Sequence, residues 1–109
     1  MLNSVTPVTD GVQWPKLANR LLLAIAARSK HPGMRIRYAP AAWLKQRGTP
    51  QRRQRWSRWT KRLANAGMIY RLIEPTRDRV TEVALTPEGR AYLDRQLAIL
   101  AVPLEELAR

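Results

Sequence analysis

The sixteen residues between Pro50 and Gly67, QRRQRWSRWTKRLANA, leave this chain little freedom. Proline fixes its φ for a first helical turn, and glycine accepts the left-handed conformation that closes a helix, so the pair brackets a helix from about Gln51 to Ala66. At 100° per residue, Trp56, Trp59 and Leu63 fall on one narrow stripe, which is the expected core face. Gln51, Gln54, Ser57, Arg58, Lys61 and Asn65 point the opposite way, while Arg55 and Arg62 lie on one flank and Arg53 on the other. The fold must therefore hold this helix by a thin apolar seam and leave its polar surface open.

The flanking segments supply the rest of a small domain. From Pro15 to about Arg28, Leu17, Leu21, Ala24 and Ile25 recur at helical spacing, and Leu22 and Leu23 widen the apolar surface enough to suggest cover from a second subunit. His31-Pro32-Gly33 breaks that helix, and the alternation from Met34 to Tyr38 predicts a short strand. Pro40 opens a brief helix, Ala41 to Arg47, with Trp43 and Leu44 inward, ended by Gly48-Thr49-Pro50. Met68 to Glu74 and Val80 to Leu85 are rich in β-formers and predict a hairpin with a basic tip at Arg77 and Arg79. Thr86 as N-cap, Pro87 in the first turn and Glu88 near the positive end of the dipole start a final helix at about residue 86. It carries one stripe of Leu93, Leu97, Leu100 and Leu104 and a second of Tyr92, Ile99 and Val102, with Pro103 ending or kinking it. The expected class is mainly α with a small β-hairpin, in the order helix, strand, helix, helix, strand, strand, helix. Residues 1–13 predict a flexible arm, 14–101 one domain, and 102–109 a tail that contributes to a dimer interface.

Charge is distributed as unevenly as hydrophobicity. The formal net charge is +12, yet residues 11–73 hold fifteen Lys or Arg and no acid, whereas residues 74–109 set five basic residues against seven acidic ones. Eight of the cations fall between Lys45 and Arg62 with no acid to offset their repulsion. Such a polarised field gathers polyanions at one region, and nucleic acid is the commonest of them. A helix about 10–12 Å across fits the major groove of B-DNA, about 12 Å wide. Arginine there can donate two hydrogen bonds to guanine and glutamine can pair with adenine, while flanking arginines suit phosphates. The candidate site is thus Gln51, Arg53, Gln54, Arg55, Ser57, Arg58, Lys61 and Arg62 on the helix, with Arg77 and Arg79 on the hairpin, and the expected partner is double-stranded DNA.

Other classes are limited by what the chain lacks. Without cysteine and with His31 as its single histidine, it has neither thiolate ligands nor an imidazole cluster, so no metal and no cofactor is expected. The basic half contains no acid for an acid/base pair, which argues against an enzyme. No apolar run is long enough for a membrane span, and Met1 to Gly11 does not resemble an export signal, so a cytoplasmic, nucleoid-associated protein is expected. A homodimer through the first and last helices is expected from their doubled apolar faces, and no effector pocket is legible. The leading role is sequence-specific regulation of transcription, by repression. The alternative is a plasmid or phage replication, partition or nucleoid-architectural factor, with an RNA-binding or protein-interaction module as a third class.

The element order is that of a winged helix-turn-helix domain, and two segments add sequence resemblance to it. WSRWTKRLANAGMI, Trp56 to Ile69, resembles the recognition helix and following turn of MarR-like and PadR-like bacterial regulators. LTPEGRAYL, Leu85 to Leu93, is similar to the passage from wing to final helix in those families, so that the likeness covers roughly residues 38 to 95. It implies a recognition helix in the major groove and a hairpin wing on backbone or minor groove. Position by position, it implies roles for Gln54, Ser57, Arg58, Lys61 and Arg62 on the helix and for Arg77 and Arg79 on the wing.

Overall fold

The computed structural model describes residues 14–77 and 79–100. Seven elements follow one another: α1 Lys16–Arg28, β1 Ile36–Arg37, α2 Pro40–Leu44, α3 Pro50–Asn65, β2 Ile69–Glu74, β3 Arg79–Leu85 and α4 Pro87–Leu100. The class is mixed α+β, with four helices and one three-stranded antiparallel sheet among the described residues, in the element order expected from the sequence. The arm expected at 1–13 and the tail expected at 102–109 lie outside the described residues.

Helix α1 forms the centre of the packing. Ala18, Leu21, Leu22, Leu23, Ala24 and Ile25 are all buried within this single chain. The second apolar face that suggested a partner subunit is therefore already covered from inside, and α1 no longer gives a reason to place a dimer contact there. The core joins α1 to Ile36, Leu44, Trp56, Leu63, Met68, Ile69, Val83, Leu85, Tyr92 and Leu93, so every element contributes to it. Tyr92 and Leu93, one from each stripe of α4, are both fully buried.

A small polar cluster ties the start of α1 to α4. The Tyr92 hydroxyl donates to Asn19 Oδ1 at 2.6 Å and accepts from the Trp14 backbone N–H at 3.2 Å, while Asn19 Nδ2 donates to the Trp14 carbonyl at 3.3 Å. A buried phenol and a buried amide thereby avoid the penalty of unmade hydrogen bonds.

One helix end departs from the sequence expectation and another meets it. The helix expected to reach Arg47 stops at Leu44, because Lys45 adopts φ 54° and closes it. The Lys45 N–H bonds to the Ala42 carbonyl and the Gln46 N–H to the Ala41 carbonyl, a Schellman pattern with lysine where glycine is usual. The same pattern ends α3 with Gly67 at φ 78°, as its glycine predicts, through Gly67 N–H to Ala64 and Met68 N–H to Leu63.

The expected strand Met34–Tyr38 shrinks to Ile36–Arg37, which pairs with β3 through Ile36↔Val83 and Arg37↔Glu82. The sheet order is β1-β3-β2, so the hairpin's second strand is central. Between Leu72 and Ile73 the register shifts, and Ile73 pairs with Val80 where an unbroken ladder would give Thr81. Such a bulge bends the distal half of the hairpin.

Thr86 ties α4 to this frame. Its hydroxyl donates to the Gly67 carbonyl at 2.6 Å and accepts from the Gly89 N–H at 2.9 Å, and its own N–H bonds to the Met68 carbonyl at 3.1 Å. Thr86→Val keeps the shape but orphans the buried Gly89 N–H and removes the bond to the Gly67 carbonyl, and it is expected to cost about 1–3 kcal/mol. Thr86→Ser retains the hydroxyl and is expected to lose less than half of that, both read from urea denaturation midpoints.

Candidate nucleic-acid interface

Thr49 starts α3 by accepting the Arg52 N–H on its side-chain oxygen at 3.2 Å, and Pro50 occupies the first turn. The buried seam is Trp56, Thr60 and Leu63, with Trp59 half-buried at its edge. The expected stripe of Trp56, Trp59 and Leu63 is thus rotated towards Thr60. Threonine reaches the core because its hydroxyl donates to the Trp56 carbonyl at 2.6 Å, leaving no unmet donor. The Tyr38 phenol oxygen lies within hydrogen-bond distance of Thr60 Oγ1, at 3.4 Å. Burial pushes the Tyr38 phenol above its ordinary pKa, against the opposing pulls of the Thr60 hydrogen bond and the Arg71 charge, so it stays protonated at neutral pH. Trp59 instead meets the Trp14 ring edge-on at 6.2 Å and lies beneath the Arg62 guanidinium at 4.7 Å.

All eight sequence-predicted residues of α3 are exposed, as are Arg77 and Arg79. The structure divides them among several surfaces. Arg53, Gln54, Ser57 and Arg58 line one shallow hollow on the outer face, together with Pro50. Arg53, Ser57 and Lys61 also line a groove of about 710 Å³ between α3 and the sheet, whose opposite wall includes Arg37, Arg71 and Arg79. Arg53 and Ser57 therefore form a ridge with a surface on either side. Gln51, Arg55 and Arg62 belong to neither surface, and Arg62 is engaged with Trp59. At the hairpin end Arg77 turns back to Glu74 at 3.5 Å and stays out of the groove that Arg79 enters.

Sequence reasoning missed Arg37, Arg71 and Tyr38. Arg37 was read only as part of a short alternating strand, and Arg71 as one position in a hairpin. The signal that brings them to α3 is tertiary: β1 pairs with the far side of β3, which sets both strands opposite the helix.

Both surfaces offer hydrogen-bond donors and positive charge. Among the described residues, no carboxylate lines either of them. No group of three or more His, Cys, Asp or Glu that could hold a metal ion occurs among the described residues, and no described helix is long and apolar enough to cross a membrane. A separate hollow of about 750 Å³ lies between the end of α1 and the start of α4, lined by His31, Tyr70, Arg90 and Asp94 among others, with no residue of α3.

Comparison with known proteins gave no match: no family model, no curated protein and no solved structure.

Proposed function

We propose that the chain is a winged helix-turn-helix protein that binds duplex DNA with α3 in the major groove, acting in the bacterial cytoplasm as a regulator of transcription. One observation carries this reading: Gln54, Ser57 and Arg58 share an exposed, acid-free surface on a helix whose opposite seam is anchored in the core. The sixteen residues of α3 span roughly 24 Å, enough for its N-terminal half to follow base edges while the C-terminal half stays packed. Gln54 and Arg58 lie four residues apart on one face, a spacing that offers adjacent base pairs an adenine-pairing and a guanine-pairing side chain. The short α2 and the turn Lys45–Thr49 before α3 fit a helix-turn-helix, and β2 and β3 supply the wing. The resemblance to MarR-like and PadR-like regulators supports the same arrangement.

Selection of bound fragments from a random duplex pool tests it. The expected result is one enriched sequence, containing guanine, bound about 10³-fold or more tightly than unrelated duplex at the same salt. A two-fold repeat in that sequence would mean two copies per site. Enrichment of nothing, with weak and uniform affinity, would replace regulation by an architectural role. Preference for RNA over duplex DNA would overturn the reading.

A further inference from the structure

Five cationic side chains from four elements, Arg37 of β1, Arg53 and Lys61 of α3, Arg71 of β2 and Arg79 of β3, line the single groove between α3 and the sheet. None of its lining residues among the described ones is acidic. The ion pairs seen among the described residues, Arg77 with Glu74 and Arg90 with Asp94, leave all five groove cations aside. Like charges held along one cleft repel unless an anion lies between them. We infer that this groove seats the sugar-phosphate backbone of one DNA strand, and that Arg37 and Arg71, which lie outside both the helix and the hairpin turn, are phosphate-positioning residues.

The inference rests on the duplex-binding reading above and deepens it. A strand of B-DNA borders the major groove on each side, so a helix seated there has a phosphate row running along its flank. The sheet stands on the Arg53 side of α3, and a backbone on that flank must pass between the helix and the sheet. The ridge of Arg53 and Ser57 then separates base edges on the outer hollow from phosphates in the groove. The bulge at Leu72/Ile73 bends the hairpin where Ile73 and Val80 line the same cleft, and the groove's far wall is formed there. Arginines that touch only phosphate carry no sequence information, so their loss acts alike on every duplex.

Fluorescence anisotropy of the full chain with the selected duplex and an unrelated one, over a series of KCl concentrations, tests this. Arg37→Gln and Arg71→Gln are each expected to reduce the salt slope by about 0.9 and to weaken binding about fivefold at 0.15 M salt on both duplexes, with their ratio unchanged. Arg71 is half-buried, so its variant is accompanied by a thermal melt and by Arg71→Lys, which keeps the charge and should restore the slope. Arg37 is exposed and gives the same test independently of folding. If the wild-type chain binds duplex with a steep salt slope and both glutamine variants match it, the groove assignment is overturned while the duplex reading stands. A changed ratio between the two duplexes would make these residues base readers and overturn it as well. Absence of duplex binding by the wild type overturns both.

Discussion

Gly89→Ala is expected to lower the melting temperature by about 10–20 °C. Gly89 lies in the first turn of α4, where the helix passes against the Met68 backbone just before β2. A Cβ there would overlap the Met68 carbonyl oxygen, and would stand 3.0 Å from Leu85 Cδ1 and 3.1 Å from the Met68 carbonyl carbon. Two of the three obstacles are backbone atoms of a segment already fixed by the Thr86 N–H and by the Schellman closure of α3. Alanine gains about 1 kcal/mol in helix propensity, but forcing α4 off the sheet costs more, and a net loss of about 2–4 kcal/mol follows. Differential scanning calorimetry reads this directly. Gly48→Ala is the control, since its Cβ would meet only the Arg53 side chain at 3.8 Å, and its melting temperature should stay within a few degrees. A wild-type melting temperature for Gly89→Ala would mean that α4 does not approach Met68 as described.

Joint replacement of Gln54 and Arg58 by alanine is expected to reduce affinity for the selected duplex by about 30-fold to 10⁴-fold, from roughly 1–3 kcal/mol for each bidentate base contact. Both side chains are exposed and line only the outer hollow, so the fold should be untouched and the melting temperature unchanged. Affinity for unrelated duplex should fall far less, because phosphate contacts from the groove remain. The specificity ratio therefore collapses, in contrast to Arg37→Gln and Arg71→Gln, where it is kept. Equal losses on selected and unrelated duplex would show that this hollow reads no bases.

Much of the frame was legible because it rests on local rules. Gly67 was placed by its left-handed requirement, Thr86 by its capping chemistry, and Pro15, Pro50 and Pro87 by helix starts. The leucine spacing of α1 also identified a buried helix, and its extra apolar face was real. What covers that face was not legible, because β3 and α4 reach α1 only in three dimensions. The seam of α3 was read one position off because two large aromatic side chains look like better core residues than a threonine. The Thr60 hydroxyl bonds its own helix and is buried at no cost in unmet donors, a compensation that a hydrophobicity pattern does not contain. Lys45 misled in the opposite direction: lysine is a good helix former, yet here it terminates α2 in a conformation that usually selects glycine.

For the candidate site, periodicity found the outer face of α3 and missed the second wall of the groove. Arg37 and Arg71 sit in strands whose partners are distant in sequence, and a one-dimensional charge count cannot tell that they converge on Arg53 and Lys61. Arg77 shows the reverse. It was selected as a basic residue of the hairpin tip, and the structure pairs it with Glu74 instead. Exposure of that pair keeps its energetic value small, so the contact redirects the arginine without fixing it.

The central claim is that α3 enters the major groove of duplex DNA, and methylation interference on the selected duplex measures this most directly. Methyl groups at guanine N7 occupy the major groove, whereas those at adenine N3 occupy the minor groove. The account predicts that N7-methylguanine within the selected site abolishes binding of the wild-type chain, and that the same modification matters much less to the Arg58→Ala variant. Binding that tolerates methylation at every guanine N7, or that is blocked only at adenine N3, would contradict it.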